Sequence, residues 1–526
     1  MLMKALLGGA WRDGLLDYHR GPDDVRVDVV AWRTLGRVEG AFFVRRRSLR
    51  MLWNYARELG AREVLRKVVS RWAEAGRNEK FVSAGYGRVL DAPRRAGLER
   101  GDDVVFIAPA HPVCVDRIAL PATLVRRSCG RPPIDGSGIA HVMAPAEGPW
   151  NALAGWSPES GAAAPEAEAA LERANALLEA TDWRAAQWLD RSAPETGERV
   201  SGGAAMASSK PRALLIGYGN YAKTVVMAGV RRTLDVVAIH EIDPVQIGEG
   251  SDVALDTAPA PREDEAHDVL LIAGYHHTHA PLAVEALRAG RWAVVEKPVA
   301  TTRAQLDELV AEIRRSPRLF SCFQKRYSSL NALALEDLGV EPGGAVSYHC
   351  IVYEVPLPPL HWYRWPNSRG RLVSNGCHWT DHFLHLNGYP EVVAYGVFEA
   401  SDGTLNATVE LANGAVFTMV LTEHGSERIG MQDHVELRAN GVTVRIDNSS
   451  RYEAEGPDRV LRRKRVNRIE AYRTMYDTIG RRIVAGEAGD APEAVERSAG
   501  LVLDLERRSG EIRDEVCATR WDATIR

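Results

Sequence analysis

Short runs of wholly apolar residues, each followed by an amphipathic stretch, dominate the middle of the chain. Residues 211–220 read PRALLIGYGN, and LDVVAIHEID, DVLLIAGYHH and RWAVVEKP follow at intervals, with the helical pattern APLAVEALRAG between the last two. A strand buried on both faces of a sheet is apolar throughout, whereas a helix packed on that sheet shows a single apolar stripe. Their alternation predicts an α/β arrangement, a doubly wound parallel sheet over residues 210–328. Beyond about Phe320 the period shortens to two. VSYHCIVYEV, EVVAYGVFEA, LNATVELANGAVFTMVLTEH and HVELRANGVTVRID alternate apolar with polar positions, punctuated by Asn-Gly and Asp-Gly pairs. This predicts an open, mainly antiparallel sheet over residues 329–526, closing on the helical patterns RIEAYRTMYDTIGRRIVAG and PEAVERSAGLVLDLERRSG. Upstream, residues 145–209 read as a connector: an Ala-rich helical stretch, then the polar tether SAPETGERVSGGAAMASSKP. Residues 1–144 are left as a separate N-terminal domain.

The glycine pair that ends the first apolar run carries chemistry. Gly217-Tyr218-Gly219-Asn220-Tyr221-Ala222 is a G-x-G-x-x-A run between an expected strand and an expected helix. Gly217 permits the tight turn, Gly219 lets backbone approach a pyrophosphate, and Ala222 keeps helix and strand close. The helix start at Asn220 and Tyr221 then offers unpaired N–H groups to phosphate. Such a run alone also occurs in ordinary turns. Glu241, at the end of the next apolar run, is the carboxylate that bonds ribose hydroxyls and repels a 2′-phosphate, so NAD(H) is favoured and NADP(H) is the alternative.

Two further motifs carry a family resemblance. Glu296-Lys297-Pro298 after RWAVV, and Gly376-Cys377-His378-Trp379-Thr380-Asp381-His382-Phe383-Leu384-His385, resemble the signatures of the Gfo/Idh/MocA oxidoreductases. The resemblance runs from about residue 211 to the C-terminus. It implies a Rossmann domain followed by an α/β domain with an open sheet, and hydride transfer to or from nicotinamide. It assigns Lys297 to the substrate oxygen, His385 to acid/base work and Asp381 to orienting that histidine or the substrate. Asp381 and His385 are four apart on a helix and so share a face, and a histidine takes and returns a proton near neutrality. Glu296 and His279 also fit the pattern, while Gly274-Tyr275-His276 stands where relatives carry Thr-Pro-Asn. Ser374 replaces a frequent aspartate. Arg326, Tyr327, Trp365, Arg369 and His378 are the candidate substrate contacts, since arginine and tryptophan suit anionic or sugar-like ligands. His378 and His382 share helical spacing, but no third ligand follows and no metal is expected.

Residues 81–127 are similar to the GroES-like barrel of medium-chain dehydrogenases, on Gly85, Gly87, Val89, Gly97-Leu98 and Gly101-Asp102-Asp103-Val104. The zinc-binding Gly-His-Glu start is missing, which implies a reduced, zinc-free barrel serving as structure, interface or lid. Cys114 beside His111 is ascribed to barrel packing.

Composition narrows the partners. Among 526 residues, 66 basic against 70 acidic side chains leave a net charge of −4, so nucleic acid is not an expected partner. The opening MLMKALLGGAWRDGLL breaks too early for a signal segment, and no run reaches the length of a membrane span. Six cysteines without a C-x-x-C pair suit a reducing, cytoplasmic compartment. The expectation is a cytoplasmic homodimer or homotetramer with a small-molecule substrate. That substrate is a hydroxyl or carbonyl compound of the sugar, cyclitol or nucleotide-sugar type. Alternatives are an imine or enone reductase using the same cofactor site, and a cofactor-binding scaffold without catalysis.

Overall fold

The computed structural model describes residues 2–7, 10–15, 24–38, 80–111, 114–128, 138–143, 164–190, 199–200, 209–242, 253–357, 362–364, 368–426 and 430–523. The expected parallel sheet is present. Its order is Arg199–Val200, Ala254–Asp256, Asp235–His240, Arg212–Ile216, Val269–Ile272, Trp292–Val295 and Leu319–Ser321, and every pairing except the first is parallel. Alternate residues of these strands feed two cores. Leu214, Ile216, Leu270 and Val295 meet helices His279–Arg288 and Arg303–Arg315 on one face, while Leu215, Ile239, Leu271 and Phe320 meet the other. That burial on both sides is why the strands are apolar throughout.

The second face is covered from far along the chain. Met475, Tyr476, Ile479 and Ile483 of helix Glu470–Ala485 complete it, and Val495, Ala499 and Val502 of helix Pro492–Ala523 join the first. The C-terminal helices therefore fold back onto the Rossmann sheet and bury its apolar faces.

The second sheet has eight strands in the order Val392–Glu399, Leu405–Leu411, Val416–Thr422, Ser347–Tyr353, Gln432–Ala439, Val442–Asp447, Arg451–Glu455 and Val460–Arg465. All pairs are antiparallel except Ser347–Tyr353 with Val416–Thr422. Asn440 and Gly441, at φ of 49° and 75°, make the tight turn between Gln432–Ala439 and Val442–Asp447. One face packs on helices through Leu330, Trp379, Phe383, Leu501 and Leu505, and the other is open.

At the N-terminal end, strands Asp24–Val38, Lys80–Asp91, Asp103–His111 and Val125–Arg127 pair in sequence. Arg117–Pro121, one short turn before Val125–Arg127, pairs back with Asp24–Val38, so the pairing runs in a ring around Val27, Trp32, Phe106 and Leu120. The Ala-rich stretch of the connector at 145–209 forms a helix. Helix Ala164–Glu179 lays Leu171, Ala174 and Leu178 on the N-terminal sheet, and Gln187–Asp190 pairs with Gly138–Met143. Its apolar stripe needed a partner, and the sheet supplies one.

Candidate active site

The site lies beyond the carboxyl ends of the parallel strands, where the strand order reverses on either side of Arg212–Ile216. Gly217 has φ of 88°, and a Cβ there would come within 2.6 Å of the Ala273 and Gly274 backbone, so only glycine fits. A Cβ at Gly219 would meet nothing within 4 Å, which leaves room for a pyrophosphate at the start of the helical segment 220–230. Ala222 is buried against the sheet, and Asn220 is exposed beside the opening. Glu241 is 7% exposed, and its carboxylate accepts the Tyr218 N–H at 2.5 Å, which ties the end of strand Asp235–His240 to the glycine turn. These residues fit a nicotinamide dinucleotide. Tyr221, by contrast, turns its hydroxyl to the Glu296 carboxylate at 3.2 Å rather than toward phosphate.

Three neighbouring strands deliver polar residues to one place: His276 follows Val269–Ile272, Lys297 follows Trp292–Val295, and Gln324 follows Leu319–Ser321. The Lys297–Pro298 peptide is cis. The Lys297 ammonium donates to the Ser374 carbonyl at 2.8 Å and sits 5.6 Å from the centre of the Tyr363 ring. Burial pulls this lysine down, but Tyr363, Cys377, Glu296 and Tyr472 more than offset it and hold the ammonium above its ordinary value. Lys297 is therefore a cation at neutral pH. Burial raises the Glu296 carboxyl, opposed by the Tyr476 hydroxyl that donates to it and by Lys297.

Helix Cys377–Leu386 adds His378, one turn beyond Ser374. His378 is 5% exposed and its Nδ1 is buried without a hydrogen-bond partner. Burial, then the charges of Lys297 and Lys325, push it well below the usual histidine range, so it is neutral at pH 7. His276 Nε2 and Gln324 Oε1 are also buried and unpartnered, and His276 Nδ1 faces the Ser368 carbonyl at 3.1 Å. Buried polar atoms in this state are uncommon, and an ordered water or a bound molecule would satisfy them. His279 is different: its ring nitrogens face the Pro298 and Gly274 carbonyls at 2.8 and 3.1 Å, so it braces the loops.

The structure separates residues that the sequence placed together. Asp381 shares a helix face with His385, but Arg326 donates to its two oxygens at 2.6–3.2 Å and Ser498 adds a bond at 2.6 Å. Asp381 is fully buried in that ion pair, and Arg326 also holds Asp490 at 2.9 Å. His385 lies beside Tyr389 on the same side, two turns along the helix from His378. Asp381 and Arg326 thus neutralise one another's charge, and the ring neighbour of His385 is Tyr389. Tyr327 packs in the Rossmann core, and exposed Arg369 donates to the Thr301 carbonyl at 2.6 Å, so neither joins Lys297. Trp365 and residues 145–163 lie outside the described residues.

Three contributors escaped sequence reasoning. Tyr363 sits in a short turn whose sequence, HWYRWPNSRG, is rich in aromatic residues, and Tyr472 and Tyr476 come from the C-terminal helix. The spacing of the last two, four apart on one helix face, was the available signal.

Comparison with known proteins bears on the same region. Residues 212–323 match the family model described as "Oxidoreductase family, NAD-binding Rossmann fold". The Escherichia coli K12 protein described as "Uncharacterized oxidoreductase YdgJ" is 31% identical over 288 residues, spanning 47% of this chain and 83% of that protein. The chain belongs to the Gfo/Idh/MocA oxidoreductase family. As a Gfo/Idh/MocA protein it is an NAD(P)-dependent oxidoreductase. A dehydrogenase from Chromobacterium violaceum has the same fold at 16% identity and a TM-score of 0.50, covering 61% of this chain and all of that one. The WlbA dehydrogenase of Bordetella pertussis, solved with NADH and UDP-GlcNAcA, aligns at 19% identity and a TM-score of 0.47, covering 57% and 96%. Within the Gfo/Idh/MocA chain, His240, Asp256 and Glu265 have ligand-type atoms within 4.8 Å of one another. Arg262 donates to both Asp256 oxygens and His240 Nε2 lies 2.8 Å from Glu265, so this trio is a satisfied hydrogen-bonded network. Among the described residues no helix is long and apolar enough to cross a membrane.

Proposed function

We propose that this protein oxidises a secondary hydroxyl of a sugar, cyclitol or related polyol, with NAD(H) as the preferred dinucleotide. The observation that carries the proposal is the pairing of a buried cation, Lys297, with a buried neutral imidazole, His378, whose Nδ1 has no partner. The nicotinamide ring, when bound, supplies the hydride acceptor. Lys297 stabilises negative charge on the substrate oxygen as the O–H proton leaves, and His378 takes that proton. A base must be neutral before it acts, and burial keeps His378 so.

Glu241 supports NAD(H), because a carboxylate beside the ribose repels a 2′-phosphate. The test is absorbance at the nicotinamide wavelength with NAD+ and a panel of sugars and cyclitols. Turnover on a polyol that disappears in Lys297→Met, with NAD+ affinity retained, is the expected result. Dinucleotide binding without hydride exchange for any polyol would point instead to a scaffold.

The ring of strand pairs in residues 24–127 supports a reading of the N-terminal unit as a reduced GroES-like barrel. The open sheet face carries Ile351 at 55% and Phe398 at 58% exposure, which supports self-association into a homodimer or homotetramer. Light scattering of wild type against Ile351→Glu measures this, with a smaller particle expected for the variant.

A further inference from the structure

We infer that the N-terminal sheet forms the outer wall of the dinucleotide cleft and limits how fast the dinucleotide enters and leaves. The inference rests on the reading that this cleft holds NAD(H). Three half-buried residues from outside the N-terminal unit pack against its Val25, Val27, Trp32, Phe106 and Leu120 cluster: Ile242, Tyr275 and Trp362. They come from three separate parts of the chain, and each borders the cleft at a different point.

Ile242 directly follows Glu241, at the adenosine-ribose end. Tyr275 directly follows Gly274, whose backbone closes on the Gly217 turn at the middle of the cleft. Trp362 precedes Tyr363, the ring nearest the Lys297 ammonium, at the reacting end. The Trp362 ring lies 5.0 Å from Tyr275, 4.6 Å from His276 and 4.3 Å from Tyr363, all edge-on, so one indole joins the three bodies. One apolar surface therefore touches the cleft along its length, and a dinucleotide lying across the strand-order reversal would run beneath it. Exchange then requires these apolar contacts to part, which exposes them to water and slows both directions.

A wall and a binding contact give different kinetic signatures. Removing a direct contact raises the dissociation rate alone, whereas opening a wall raises association and dissociation together. The test is stopped-flow NADH fluorescence on the full chain, comparing wild type with Trp362→Ala and Ile242→Ala, the second variant guarding against misfolding of the first. Ile351→Ala, on the far sheet face, is the control and leaves both rates unchanged. The expected result is both rate constants rising about tenfold, with Kd within about threefold of wild type. Unchanged rates in folded variants, or a rise in dissociation alone, overturn the wall. Failure of the wild-type protein to bind NADH overturns the reading of the cleft, and the wall with it.

Discussion

The two ends of helix Cys377–Leu386 show how burial separates working groups from structural ones. Both ends bury titratable side chains. At the first turn His378 feels the Lys297 charge and leaves a nitrogen unpartnered, whereas one turn on Asp381 is saturated by Arg326 and Ser498. A saturated ion pair has no lone pair to offer a substrate, and desolvating it again is costly. An unpartnered imidazole is costly in the free protein, and that cost is relieved only when something binds. Equal burial therefore carries opposite meanings, and the count of satisfied hydrogen bonds distinguishes them.

Substitutions at each end sharpen the contrast. His378→Ala is expected to lower kcat for polyol oxidation by roughly 10²–10⁴-fold, the range for a lost general base, while the melting temperature holds or rises. Steady-state rates with calorimetry check both halves, and unchanged turnover would return the base to another residue. Asp381→Ala should do the reverse, costing on the order of 3 kcal/mol of stability by leaving the buried Arg326 with Asp490 as its remaining carboxylate, as read by urea unfolding.

Acid weakens the fold by a third route. Burial pushes His279 and His141 down to about 4, and His276, His378 and His382 are lowered too. The unfolded chain takes up these protons near pH 6.5, the folded chain only well below it, so stability is full above about 6.5 and falls as pH drops toward 4. Melting temperatures across that window should decline steadily. The smallest effect belongs to His385→Ala, half-buried beside Tyr389, with less than about threefold change in turnover, since it bonds to nothing that reacts. A large loss there would erase the distinction between the helix ends.

Much of the Rossmann half was legible. Gly217, Gly219, Ala222 and Glu241 take their roles from backbone geometry and strand position, which are local properties. The choice between His378 and His385 was not legible, because spacing on a helix gives the face and not the neighbours. Those neighbours, Arg326, Asp490 and Ser498, come from three distant segments. The connector's helix was legible in its pattern, but the N-terminal sheet it packs on was not.

Apolar runs, turn glycines and the spacing of charged residues therefore determined the strands, helices, dinucleotide turn and family of this protein, since each depends on contacts close in sequence or on a backbone shape one residue type permits. Which histidine stands free, which arginine is spent on an ion pair, and what covers the cleft were decided only by the tertiary structure. Long-range packing sets desolvation and hydrogen-bond satisfaction, and those set the chemistry left to each side chain.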